Sequence, residues 1–176
     1  KINVSDKHYI GDANPWFTAG MTNTISWKGL SLSFLLTASV GNDIYNASKI
    51  EMIGMYTGAN QIKDAVRRWR VPGQITDIPK AGELDNLRAS TRWVEDGSYL
   101  KFKNITLSYD ITCPKLRKAN ISRIQPYITL DNMVTFTGYS GYDPEMSQYT
   151  SATNTGIDWG TYPCVKTVLF GVNVEF

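Results

Sequence analysis

The chain has 176 residues, a formal net charge of +2 and 12% aromatic residues, with Tyr the commonest of them. Basic and acidic residues are interspersed, so no broad electrostatic partner such as nucleic acid is implied. Apolar residues are too plentiful for a disordered chain, and no apolar run reaches the roughly 18 residues of a membrane-spanning helix. His8 is the only histidine, which excludes chemistry needing a histidine pair. Two cysteines, Cys113 and Cys164, are too few for a disulfide scaffold or a cysteine-rich metal site.

Five segments alternate with period 2, the pattern of strands with two unlike faces. From Trp16 to Trp27, one face carries Phe17, Ala19, Met21, Ile25 and Trp27, and the other Thr18, Gly20, Thr22, Thr24 and Ser26. Lys28-Gly29 predicts a tight hairpin turn, since Gly accepts positive φ. The next strand sets Leu30, Leu32, Phe34, Leu36, Ala38 and Val40 against Ser31, Ser33, Leu35, Thr37 and Ser39. Its length matches the roughly 9–11 residues that cross a bilayer at a tilt.

A long connection over 41–96 follows, with one short helix expected at 60–70. Ile62, Ala65, Val66 and Trp69 share a helical face there, and Pro72 stops it. The basic run Arg67, Arg68 and Arg70 reads as the solvated face of that helix. The third strand, 98–111, has its apolar residues in two phases: Leu100 and Phe102, then Ile105, Leu107, Tyr109 and Ile111. The phase changes near Lys103, which implies a bulge or an exit from the membrane.

A short turn through Cys113, Pro114 and Lys118 leads to the fourth strand, 121–136. Pro126 lies inside it and, lacking a donor, predicts a bulge. A second long loop, 137–162, carries Tyr139, Tyr142, Tyr149, Trp159 and Tyr162 among Gly, Ser and Asp. The last strand, 165–176, alternates Lys166, Val168, Phe170, Val172, Val174 and Phe176 with Thr167, Leu169, Gly171, Asn173 and Glu175.

Short and long connections therefore alternate, as in outer-membrane barrels, whose turns are short on one side and loops long on the other. The expected fold class is all-β: an antiparallel transmembrane β-barrel segment of about five long strands, with long extracellular loops and one short helix. Even-numbered residues of the last strand should face lipid, and Asp131, Asn173 and Glu175 should face the lumen. The two cysteines fall at opposite ends of the strands. A disulfide needs Cα atoms within about 7 Å, so both are expected to be free thiols.

The run Arg92-Trp93-Val94-Glu95-Asp96-Gly97-Ser98-Tyr99-Leu100 leads into Lys103-Asn104-Ile105-Thr106-Leu107-Ser108-Tyr109. Asp131-Asn132, Thr135-Phe136-Thr137 and Tyr139-Ser140-Gly141-Tyr142-Asp143-Pro144-Glu145 follow. Gly156-Ile157-Asp158, Gly160-Thr161-Tyr162-Pro163 and Phe170-Gly171-Val172-Asn173-Val174-Glu175-Phe176 complete the series. In this order it resembles the C-terminus of SusC/RagA-type TonB-dependent transporters of Bacteroidota. Asn14-Pro15, Arg68-Trp69 and Asp77-Ile78-Pro79 resemble the same family. Cys113 and Cys164 depart from its usual pattern.

The resemblance implies a barrel of roughly 22 strands with an N-terminal plug. Residues 1–176 would be its C-terminal part, with the plug and the N-terminal strands absent and Phe176 the parent's end. It also implies no enzymatic activity and no cofactor. The implied cargo is a glycan or an oligopeptide. The implied partners are a SusD-like surface lipoprotein, TonB through a segment not in this chain, the rest of the barrel and its plug, outer-membrane lipid, and the barrel assembly machinery. Phe176, with Val174 and Phe170, resembles that machinery's recognition signal. Tyr139, Tyr142 and Trp159 are candidate stacking residues for cargo, with Asp143 and Glu145 as acceptors. The competing reading of the loop is packing, with Tyr as structural filler. Calcium at its acidic residues finds no matching loop motif, and no metal site is expected. Two other classes compete with the importer: a secreted all-β carbohydrate-binding module, and a complete barrel of about eight strands.

Overall fold

The computed structural model describes residues 4–145, 147 and 155–176. In chain order it contains Phe17–Trp27 (β1), Leu30–Val40 (β2), Asp43–Asn46 (β3), the helix Ala47–Gly54 (α1), Val94–Asp96 (β4), Tyr99–Tyr109 (β5), the helical turn Pro114–Lys118 (α2), Arg123–Thr137 (β6), Ile157–Asp158 (β7) and Thr167–Glu175 (β8). The chain divides into two units. One comprises 16–40, 98–137 and 164–176, the other 1–15, 41–97 and 138–163.

The first unit is a five-stranded sheet in the order β1-β2-β5-β6-β8, antiparallel throughout. The five expected strands are these five. Lys28 (φ 47°) and Gly29 (φ 87°) close the first hairpin. Two consecutive positive φ values define the I′ turn whose twist suits paired strands.

Register puts like side chains in rows. Ile25, Leu32, Leu107, Ile128 and Phe170 are successive cross-strand partners on one face. That face is bare: Phe170 is 74% exposed, and Trp27, Met21, Val172 and Phe136 are also exposed. The opposite face is a polar ladder. Ser26 and Ser31 hydroxyls lie 2.8 Å apart, and Thr106 and Thr129 hydroxyls 2.9 Å apart. The Asn104 amide donates to Asp131 at 2.7 Å, and Asn173 to Gln125 at 3.2 Å. Glu175 is met by Arg123 at 3.2 Å. Lys101, 1% exposed, lies on this face.

The two phases of β5 have one cause. Leu35 pairs with Asn104 and Leu36 with Phe102, so Lys103 is an extra residue against β2. Across β6 the ladder steps from Asn104↔Asp131 to Phe102↔Val134, and Asn132 takes φ 54°. The extra residue returns Leu100 and Phe102 to the face of Ile105 and Leu107. Phe34 and Phe102 then meet there with ring centroids 6.2 Å apart.

The bulge expected at Pro126 is not found. Pro126 pairs with Val172 in unbroken register. Its missing donor falls on the β5 side. Ile111 and Ile124 exchange backbone bonds of 2.9 and 3.2 Å, and Pro126 stands at the next rung of that kind, opposite Tyr109. Pairing with β5 accordingly stops at Ser108↔Tyr127 and returns only as the bridge Ile111↔Ile124.

The second unit, expected to be mainly loop, has its own core of Ile44, Ala47, Ile53, Ala65, Ile78, Trp93 and Tyr139, with Trp93 at 0% exposure. Its three-stranded sheet runs β4-β3-β7, antiparallel to β4 and parallel to β7. The helix expected at 60–70 is corrected to a single 3-10 turn, Lys63–Arg67. Ala65 is buried but Val66 is exposed. The chain is extended at Ile62 and turns out of helix at Arg68. Trp69 N–H bonds Ile78 O at 3.0 Å instead, and the Arg67 carbonyl accepts from the Thr76 hydroxyl at 2.6 Å. The α-helix of this region is α1, begun by the Asn46 side chain, which accepts from Lys49 N–H at 3.0 Å.

Candidate functional site

Four elements of the second unit bring polar residues together. β3 ends on Asn46, whose backbone is the hinge from strand to α1. The first turn of α1 carries Ser48 and Lys49. β4 supplies Glu95 opposite Ile44, and β7 supplies Asp158 opposite Asn46. The segment after β6 adds Tyr139 and Ser140.

Glu95 is the centre. Its Oε1 takes Lys49 Nζ at 2.9 Å and the Ser140 hydroxyl at 2.9 Å, while Oε2 takes Ser140 N–H at 2.9 Å. Asn46 Nδ2 donates to Oε1 at 3.3 Å. Burial pushes the Glu95 carboxyl up, but the bonds from Lys49 and Ser140 outweigh it and hold it below its ordinary value. The carboxylate is thus a clamp between α1 and the Ser140 segment.

Asp158 makes a second clamp. Tyr139 donates its hydroxyl to Asp158 Oδ2 at 2.6 Å, and Thr161 N–H donates to Oδ1 at 3.1 Å. Ser48 donates to the Asp158 carbonyl at 3.3 Å and accepts from Gly160 N–H. Burial and the neighbouring Asp158 carboxylate raise the Tyr139 phenol far above its usual range.

These clamps frame a cleft of about 330 Å³ lined by Asn46, Ser48, Lys49, Met52, Ile62, Asp64, Ser140, Gly141, Tyr142 and Asp158. Met52 and Ile62 give it apolar wall, and Lys49 and Asp64 bring opposite charges. Such a mixture binds and orients an amphipathic group. Of these groups, the Glu95 and Asp158 carboxylates hold backbone N–H groups, of Ser140 and Thr161.

The candidate loop residues separate by exposure. Tyr142 (75%) and Trp159 (59%) stand out to solvent. Tyr139 is buried with its hydroxyl committed to Asp158. Asp143 is buried and caps Glu145 N–H at 3.1 Å. Glu145 is half-buried. Tyr149 lies outside the described residues. Phe170, Val174 and Phe176 all stand exposed at β8 and its end, and Cys113 and Cys164 are not joined in a disulfide. The sequence reading passed over Asn46, Lys49, Glu95 and Asp158. The one local signal was Asn46 before Ala-Ser-Lys, a helix-capping pattern.

No protein-family model matches the chain. It is similar to "TonB-dependent receptor P3" of Formosa agariphila, with 34% identity over 100% of this chain and 18% of that protein. It is also similar to "TonB-dependent receptor SusC" of Bacteroides thetaiotaomicron, with 26% identity over 99% of this chain and 16% of that protein. Among solved structures, one described as the RagAB peptide transporter superposes with a TM-score of 0.83 at 25% identity, covering 100% of this chain and 19% of the other. The chain thus spans about a fifth of the length of these relatives.

The antiparallel sheet with its two unlike faces is the fold of a fragment of a TonB-dependent barrel. Within that class, the chain is homologous along its whole length to the SusC/RagA-type TonB-dependent receptors.

Proposed function

We propose that this chain is the C-terminal part of the barrel of an outer-membrane importer that takes up glycans or oligopeptides with energy from TonB. A SusD-like surface lipoprotein closes over the importer, and the plug and remaining strands complete it. The observation that supports this reading best is the five-stranded sheet, bare and apolar on one face and hydrogen-bonded and polar on the other. Water does not favour so broad an apolar surface on a soluble protein, which weighs against a secreted carbohydrate-binding module. In a barrel wall the same face meets lipid and the polar ladder meets the lumen.

Cargo is bound and passed, without covalent chemistry. Tyr142 and Trp159 contact it, beside the cleft held by Glu95 and Asp158. Asp143 and Glu145 hold the loop in reach of it, with Tyr139 beneath. Phe176, Val174 and Phe170 serve as the assembly signal.

The test is growth of a strain lacking the parent gene on a panel of glycans and peptides, with complementation by the intact gene. Loss of growth on one class, with heat-modifiable migration of the parent protein in detergent gels, is the expected result. Normal growth on every substrate, or extraction of the parent without detergent, would overturn the reading.

A further inference from the structure

The short-connection end of the five-stranded sheet carries an unbalanced cluster of cations. α2 presents Lys115, Arg117 and Lys118, all exposed. Lys28, in the neighbouring hairpin, lies 5.0 Å over the Trp27 ring. Strand register puts these turns at the same end, because Trp27, Leu30 and Tyr109 are successive partners and Arg123 pairs with Glu175. Among the described residues, the side-chain carboxylates at this end, Asp110 and Glu175, are already taken. Asp110 lies 3.7 Å from Arg123 and accepts from Gln125 at 2.7 Å, and Glu175 lies 3.2 Å from Arg123. Among the described residues, no carboxylate reaches Lys115, Arg117 or Lys118.

At the same end the apolar face finishes in exposed aromatics: Trp27, Tyr109 and Phe176. Aromatic side chains of this kind settle at the depth of lipid head groups. A band of aromatics with uncompensated cations just beyond it is complementary to a phosphate head group that carries no balancing amine.

We propose that this end of the sheet is a binding surface for anionic phospholipid, with Lys115, Arg117 and Lys118 on the phosphate and Trp27 and Tyr109 against the glycerol and upper acyl chain. The proposal rests on the membrane-barrel reading above. α2 is then a lipid-anchoring device rather than a passive turn. Its cations fix the depth of the neighbouring strands and favour bilayers rich in acidic lipid.

The test uses the full parent transporter, exchanged in detergent with equimolar phosphatidylglycerol and phosphatidylcholine. Retained lipid is measured by mass spectrometry at low and high salt. The intact protein should retain phosphatidylglycerol preferentially, and high salt should erase the preference. The triple variant K115Q/R117Q/K118Q should lower the preference by roughly tenfold or more. The triple variant R67Q/R68Q/R70Q, which removes the same charge elsewhere, should keep it, and inorganic phosphate should not compete. Equal retention of both lipids by the intact protein, or an equal loss in both variants, overturns the proposal. Should the first variant fail to assemble, a salt-insensitive ratio in the intact protein overturns it as well. A parent that leaves the membrane without detergent refutes the barrel reading itself. One that stays embedded without a lipid preference refutes only this surface.

Discussion

The ring of Tyr127 lies over Gly171, its cross-strand partner, so closely that a Cβ at Gly171 would collide with the tip of the phenol. The glycine in β8 thus makes room for an aromatic on the polar face. Gly171→Val should destabilise the sheet by about 1–3 kcal/mol, the usual cost of overpacking. Combining it with Tyr127→Ser should recover much of that loss. Urea-unfolding midpoints of the parent barrel for the two single variants and the double variant measure the coupling. Additive losses would mean that the ring is free to move aside.

Val172 and Asn173 are neighbours on opposite faces of β8. Val172→Arg should cost about 2–4 kcal/mol if its face meets lipid near the midplane. Asn173→Arg should cost far less, because its face already carries Gln125 and Asp110. The ranking of unfolding free energies in a lipid bilayer decides the facing, and the reverse order would sink it.

Glu95 gives a pH dependence with a definite sign. Its folded-state carboxyl is held below the ordinary 4.5. The stability it contributes is therefore complete above about that pH and disappears as pH falls through the lower folded value. Hydrogen exchange at Ser140 N–H, which donates to Glu95, should be slow and flat above pH 5 once corrected for intrinsic rates. It should quicken below 4.5. Glu95→Gln should remove most of that step.

Asn132 holds φ 54° at the bulge opposite Lys103, and its amide donates to Val165 O at 3.1 Å. Asn132→Gly keeps the backbone and should cost little beyond that bond. Asn132→Val forces a β-branched residue into the left-handed region and should cost about 1–3 kcal/mol. Similar unfolding midpoints for both variants would count against this.

β1, β2, β6 and β8 were legible because each keeps one face mainly apolar over nine or more residues, a signal that does not depend on tertiary context, and β5 was legible as two shorter runs of that kind. The phase change at Lys103 was visible too, though only the pairing with β2 identifies it as an inserted residue. The second unit was not legible. β3, β4 and β7 span two to four residues each, too short for any period to register. Ile44, Ile78 and Trp93 are scattered through what reads as loop, and their common core exists only after folding. The expected helix at 60–70 failed because tertiary bonds to Thr76 and Ile78 claimed the backbone that a longer helix needs. At the site, exposure of Tyr142 and Trp159 agreed with composition. The bonds from Glu95 to Lys49 and Ser140 and from Asp158 to Ser48 join residues 46, 45 and 110 positions apart and leave no local trace.

Lys103 behaves like an insertion in a reading frame, and the bulge is its suppressor. Along β5 the sequence on either side of Lys103 is written in two frames, and the bulge brings both into one pattern on the sheet. Deleting Lys103 would leave 99–102 and 104–109 in one unbroken alternation against β2, with Lys101 still on the polar face and Leu100 and Phe102 still on the apolar one. A codon lost elsewhere in β5, where no bulge absorbs the change, would invert one end of the strand. Such a loss would do more harm than most substitutions in the strand, and losing the Lys103 codon would not.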